Sequence, residues 1–240
     1  MPVHQRHCQT AERGVAGDPR PGDAAADDQE VPRLRAQRGE GGPLPGERGV
    51  VQQQPPISTT DDYQRASDWF RAHAHLIQPG SRVLDLACGA GRHSRAAAEL
   101  GATVVAVDRD GRRLAESRRE SQRTGELITW LELDLEQPWP DFGLFDAVLL
   151  FRYLDRARMS EVVRCVAPGG VLLMETFLEA QRGQGWGPTS DAHLLRPMEL
   201  ITLVAPLDII HAREVLLPVD ETRWAWIGSA LARKVQGSER

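Results

Sequence analysis

The sequence predicts a doubly wound, Rossmann-like α/β sheet of seven strands that ends in an antiparallel β-hairpin. Three observations predict it. Apolar runs at 82–86, 103–108, 128–133, 145–151 and 171–177 alternate with helix-like segments, the pattern of parallel strands joined by crossovers. The first run carries Asp85 and leads into Cys88-Gly89-Ala90-Gly91, a turn that sets a backbone-lined crevice at the carboxyl edge of such a sheet. After the fifth run, the segments 207–217 and 222–234 read as two neighbouring strands joined by a short turn.

The elements follow in order. Asp61 and Asp62 can cap a helix reaching Ile77, with Trp69, Phe70 and His73 on one stripe, and Gln78-Pro79-Gly80 stops it. A helix over 92–100 opens on Arg92 beside the glycine loop and ends before Gly101. The 114–123 helix interleaves Arg118, Arg119 and Arg123 with Glu116 and Glu120, which marks a solvated face with i,i+4 pairs. Further helices are expected over 158–166, closed by Pro168-Gly169-Gly170, and over 198–205.

Composition bounds the function. The chain has 240 residues, 41% hydrophobic and 26% charged, with net charge −5. Residues 1–62 contain no Phe, Tyr or Trp. The stretch 1–56 is too poor in large apolar groups to offset its ordering entropy. It reads as a disordered leader ahead of one domain at 57–240. No apolar stretch approaches the ~20 residues of a membrane span, so no membrane partner is expected. The acidic balance offers nucleic acid no basic field. Cys8, Cys88 and Cys165 are scattered, with no C-x-x-C, which suits a reducing cytoplasm and argues against structural zinc. His73 and His75 face opposite sides of their helix, so no metal site is expected. Oligomeric state is not legible.

The loop does not suit a pyrophosphate. Gly89 and Gly91 fit a dinucleotide fingerprint, but Ser94 holds its third position and Asp85 would repel a phosphate. An acid there suits a cation, and S-adenosylmethionine carries both a sulfonium and an ammonium. Asp108, ending the second strand, is placed to accept hydrogen bonds from two ribose hydroxyls, as a side chain that serves the ligand and not the fold.

The stretch from Asp85 to Gly91 resembles motif I of class I S-adenosylmethionine-dependent methyltransferases, D-x-G-x-G-x-G. Ala87 stands where the first Gly is usual, which implies φ below zero at that position. The five β/α repeats with a terminal hairpin are typical of that class. Arg152-Tyr153-Leu154-Asp155-Arg156, Glu175-Thr176-Phe177 and Leu194-Leu195-Arg196-Pro197 are similar to small bacterial methyltransferases related to tellurite-resistance TehB proteins. That group usually has His and Pro where this chain has Asp155 and Ala157.

The resemblance implies a cofactor site of Asp85, Ala87, Cys88, Gly89, Gly91, Arg92, Asp108, Arg109, Asp134, Leu135 and Phe151, with Asp134 toward the adenine amino group. The other reading of Asp134 is a cap on its own turn. Tyr153 and Arg152 are the catalytic candidates, Tyr153 as a general base or as a wall beside the transferred methyl. The glycine-rich 181–190 segment, with Trp186 at its tip, suits a mobile flap over a small-molecule acceptor, and Trp69 is expected over the same mouth. A nicotinamide-dependent oxidoreductase and a non-catalytic Rossmann-like interaction module remain the alternatives. The leader carries a direct test: deleting residues 1–56 should leave the melting temperature unchanged, and a markedly lower one refutes the reading.

Overall fold

The computed structural model describes residues 65–236. The leader at 1–56 and the caps expected from Asp61 and Asp62 lie outside the described residues. The described chain forms a sheet of seven strands. These are β1 (Arg82–Leu86), β2 (Thr103–Asp108), β3 (Ile128–Glu132), β4 (Phe145–Phe151), β5 (Val166–Phe177), β6 (Asp208–Pro218) and β7 (Trp224–Arg233). Their order is β3-β2-β1-β4-β5-β7-β6. The first five pair in parallel, and β7 runs antiparallel between β5 and β6.

Helices α1 (Asp68–His73), α2 (Arg92–Glu99) and α3 (Gly111–Thr124) cover one face of the sheet; α4 (Met159–Arg164) and α5 (Glu199–Leu203) cover the other. Two apolar clusters result. Trp69, Phe70, Leu114 and Leu149 lie in the first; Leu150, Met159, Val162 and Met174 lie in the second. Strands covered on both sides read as unbroken apolar runs, which is why β1 and β4 stand out in the sequence.

Local chemistry sets the ends. Ser67, not an earlier Asp, caps α1: its side chain accepts from the Phe70 amide at 3.2 Å. Asp110 caps α3 through the Arg113 amide at 3.1 Å, and Gly125 ends that helix in the left-handed region at φ 74°. β5 starts five residues before the expected 171. Val166 pairs with Phe145, and Pro168-Gly169-Gly170 belongs to the strand rather than to a helix stop. A Cβ at Gly170 would stand 2.9 Å from the Asp146 carbonyl oxygen, so only glycine lets these chains approach.

The strand order reverses between β1 and β4, and a crevice opens beyond their carboxyl ends. At its edge Ala87 has φ 54°. The φ below zero expected from alanine is therefore wrong. The chain must leave β1 in a left-handed turn so that the Cys88 amide reaches the Val107 carbonyl at 3.0 Å, and this bond holds alanine in a conformation glycine adopts freely. Ala87→Gly relieves about 1–2 kcal/mol of strain and returns about 0.4–1 kcal/mol through the unfolded chain. The expected outcome is a melting temperature raised by about 2–4 °C, read by calorimetry.

Candidate functional site

The centre of the crevice is a carboxylate buried at the end of β1. Asp85 is 1% exposed. Its Oδ2 accepts from the Ser94 hydroxyl at 2.5 Å, and its buried Oδ1 has no hydrogen-bond partner. Burial pushes the carboxyl up to about 7, with the Asp108 carboxylate adding to the shift against Ser94 and Arg92. An acid so placed gains most from a cation, which ionises it and satisfies the orphaned oxygen.

Asp108 holds the loop to β2. Its Oδ2 accepts from the Gly89 amide at 2.7 Å and its Oδ1 from the Asp110 amide at 2.9 Å. The expectation that this side chain serves only a ligand is thus corrected: it also builds the loop. Each oxygen keeps capacity for one more donor. Gly89 has φ 58° and nothing within 4 Å of the place a Cβ would take, so space lies open beside the main chain. Gly91 differs. A Cβ there would run into the Trp130 ring, so its close approach is to the protein itself. Trp130 is fixed in turn by its Nε1, which donates to the Ser121 hydroxyl at 3.2 Å.

The other candidates line the same edge. The Cys88 thiol is buried, and burial pushes its pKa far up, so it is no nucleophile. Arg92 opens α2, with Nη1 3.5 Å from the Arg65 carbonyl. Arg109 pairs with Glu136 at 3.4 Å on the exposed rim. Asp134 caps its own turn, Oδ1 accepting from the Glu136 amide at 3.0 Å. Buried Leu135 offers its carbonyl to Trp139 Nε1 at 2.8 Å.

Phe151 is buried at the end of β4 and stacks on His93 at 3.9 Å. Sequence reasoning missed His93. Its Nε2 accepts from the Ser67 amide at 3.2 Å, and burial, then Arg92 and Arg152, drive its pKa down to about 2. It is therefore a neutral acceptor that latches the start of α1 onto the crevice. Only its place at the second position of α2, beside the loop, hinted at this.

Beyond β4, Arg152 turns the chain at φ 60°. Its amide donates to the Glu175 carbonyl at 2.7 Å, and its guanidinium lies 4.5 Å over the Phe177 ring. The Tyr153 hydroxyl is buried without a hydrogen-bond partner. Burial, then Asp155, Glu136 and Asp134, push its pKa up to about 12. The phenol stays protonated, which argues against a general base and for a donor or a wall. Asp155 caps the turn that follows, accepting from the Ala157 amide at 3.0 Å. Arg156 clamps Glu199 at 2.6 and 2.8 Å.

The flap expected at 181–190 is instead a pinned loop. Gln181 is fully buried; it donates to the Trp186 carbonyl at 3.0 Å and accepts from the Trp226 amide at 2.8 Å. Trp186 Nε1 donates to the Trp224 carbonyl at 3.1 Å. Trp69, expected at the mouth, is 1% exposed and packed under α1.

Comparison with known proteins bears on the family and the fold. Residues 83–170 match the family described as a methyltransferase domain. A ubiquinone biosynthesis O-methyltransferase of Methylocella silvestris is 30% identical over 166 residues, covering 61% of this chain and 65% of that one. A ribosomal protein L11 methyltransferase of Thermus thermophilus is 33% identical over 133 residues, covering 51% and 52%. The chain spans less than two thirds of the length of either relative. The crystal structure of TehB from Haemophilus influenzae shares the fold, with TM-score 0.59 and 19% identity over 70% of this chain and 62% of that one.

Asp85 generates a pH prediction. Its folded pKa of about 7 lies above the ordinary 3.8. The resulting penalty is absent below pH ~4, grows as pH rises to ~7, and is constant above. Asp85→Asn, which keeps an acceptor for Ser94, should therefore stabilise the ligand-free protein at pH 8 by about 2–4 kcal/mol. The gain should vanish near pH 4 in denaturant titrations. A gain independent of pH contradicts the assignment.

Proposed function

Because the described residues form a class I S-adenosylmethionine-dependent methyltransferase domain, we propose that the chain transfers the methyl group of S-adenosylmethionine to a small-molecule acceptor. The observation that carries the reading is the buried Asp85 carboxyl with one orphaned oxygen, set beside open space at Gly89 and one strand from Asp108. A pyrophosphate would meet two carboxylates there. A cationic amino-acid moiety meets the group that needs it.

The cofactor, when bound, supplies a methyl group on a positively charged sulfur, with a good leaving group behind it. Asp85 ionises and neutralises the cationic end. The loop at 87–91, with Arg92 beside it, holds that end through main-chain groups, and Asp108 takes ribose hydroxyls on its remaining lone pairs. Asp134, Leu135 and Arg109 frame the adenine side. Phe151, stacked on His93, keeps water from the reacting centre. Tyr153 donates from its hydroxyl or walls the acceptor, and Arg152 stands at the acceptor side. Alignment supplies most of the acceleration in such a displacement, so no strong base is required of these residues.

The names of the two relatives cite different acceptors, so the acceptor class rests on this chain. The latch between Ser67 and His93 holds the start of α1 beside the loop at 87–91, and the net charge of −5 offers nothing to nucleic acid. Both support a small acceptor. Among the described residues no helix is long and apolar enough to cross a membrane. Cys88 and Cys165, buried and unpaired, fit our placement of the enzyme in the cytoplasm, with residues 57–240 as its domain.

Calorimetric titration tests the cofactor. S-adenosylhomocysteine should bind and NAD should not. Asp85→Asn, although more stable, should bind at least tenfold more weakly, since a charge-assisted contact is lost. Absence of S-adenosyl binding at millimolar levels refutes the reading.

A further inference from the structure

The last residue of α1 meets a partner that its own helix does not supply. His73 is buried and His75 exposed, so those two imidazoles do not converge. Strand β6 instead brings His211 to His73, with His73 Nε2 3.3 Å from His211 Nδ1. On its other side His73 Nδ1 lies 2.8 Å from the Trp69 carbonyl oxygen. A carbonyl oxygen only accepts, so Nδ1 carries the proton, and in the neutral ring Nε2 presents a bare lone pair toward His211. His211 is exposed, so its Nε2 can carry the ring proton in water and leave Nδ1 bare as well. The Trp69 ring, 1% exposed, packs on both imidazoles, with centroids 4.3 Å from His73 and 4.7 Å from His211.

Two features of this pair suit a metal ion. A ligating histidine usually donates its second ring N–H to a carbonyl or carboxylate, which fixes the tautomer and the ring. The Trp69 carbonyl does this for His73. Two nitrogens held by one Zn²⁺ at tetrahedral angles lie about 3.3–3.4 Å apart, and the 3.3 Å between these imidazoles is that separation. Among the described residues no group of three or more His, Cys, Asp or Glu could hold an ion, so the chain supplies two ligands and water the rest. One cation stands nearby. The Arg213 guanidinium lies 4.6 Å over the Trp69 ring, with Nε 3.5 Å from the Ser229 hydroxyl and Nη2 3.8 Å from Glu175 Oε2. Ser229 donates to the same oxygen at 3.3 Å. The buried Glu175 carboxylate thus offsets the charge of Arg213.

We propose that His73 and His211 form a two-imidazole site for a divalent transition-metal ion of the Zn²⁺, Cu²⁺ or Ni²⁺ type. Imidazole suits these ions, and Cu²⁺ binds such ligands most tightly. Mg²⁺ and Ca²⁺ require oxygen ligands and are excluded. The ion ties the end of α1 to β6, the outer strand of the sheet, while the start of α1 is held by the bond from the Ser67 amide to His93. The helix is then fastened at both ends. Binding favours the folded chain, because the unfolded one does not hold the two rings together. The site uses none of the residues assigned to the cofactor, so it does not depend on the methyltransferase reading.

The test titrates the full chain with Zn²⁺ by calorimetry and with Cu²⁺ by tryptophan fluorescence, since Cu²⁺ held beside Trp69 quenches that ring. The chain has seven histidines, so the variants carry the assignment. The parent should bind Zn²⁺ with micromolar affinity, show a saturable Cu²⁺ quench, and ignore Mg²⁺. His211→Gln should weaken Zn²⁺ by at least tenfold and remove the saturable quench. His75→Gln, the exposed control on the same segment, should stay within twofold of the parent in both. His73→Gln should behave as His211→Gln does. Because His73 is buried, its variant is first checked by circular dichroism, and the exposed His211 gives the result if that one fails to fold. Zn²⁺ should also raise the melting temperature of the parent and not that of His211→Gln. The proposal is overturned if the parent shows no saturable Zn²⁺ binding below millimolar levels. It is equally overturned if His211→Gln binds as the parent does, or if His75→Gln loses the site.

Discussion

Burying the Asp85 carboxyl at the point where the strand order reverses sets the terms for what surrounds it. The apolar strands on either side cannot solvate it, so Ser94 on the first turn of α2 supplies one donor. That bond ties α2 to β1, and the loop between them must then turn within a few residues. Hence left-handed backbone at Ala87, Gly89 and Gly91, and hence the Asp108 carboxylate that holds the Gly89 amide. The second oxygen of Asp85 is left without a partner. Leaving it so costs folding stability, the usual relation between a functional site and its scaffold.

Much of the fold was legible because parallel strands covered on both faces read as continuous apolar runs. The bounds of β1 and β2 follow from sequence alone, and so do the seven strands and the final hairpin. The acids at strand ends were also visible, since position in a βα unit fixes where such a residue emerges. What could not be read depends on pairs distant along the chain. Nothing near Gly91 announces that Trp130, two crossovers later, fills the space a Cβ would need. Nothing near His93 announces the amide of Ser67, and glycines at 183, 185 and 187 read as mobile until Gln181 is seen bonding to Trp186 and Trp226. Ala87 was misread for a different reason: a residue's preference was taken as its conformation, and a tertiary hydrogen bond overrode it.

The stretch after β4 shows how like residues divide their work. Arg156 and Asp155 are spent on structure, one clamping α5 and the other capping a turn. Arg152 and Tyr153 come just before them: one turns the chain in left-handed backbone with its guanidinium over the Phe177 ring, and the other carries an unpartnered buried hydroxyl. Asp155 and Arg156 thus fasten the loop and Arg152 packs on Phe177, which leaves the Tyr153 hydroxyl unpartnered. The Asp155 that replaces a usual histidine fits this division, because its side chain bonds an amide of its own loop.

The position of β7 has a consequence for how the protein is made. Among the described strands β7 is translated after all the others, yet it lies inside the sheet, between β5 and β6. Until its residues emerge, the whole antiparallel edge of β5 stands open, and β6 has no neighbour to join. Such an edge is where nascent chains associate wrongly. The group of Glu175, Ser229 and Arg213 spans these three strands, so it cannot form before synthesis reaches β7. Premature termination in this region would therefore release a chain with its cofactor crevice largely encoded but with an adhesive sheet edge, a species for chaperones and proteases to handle.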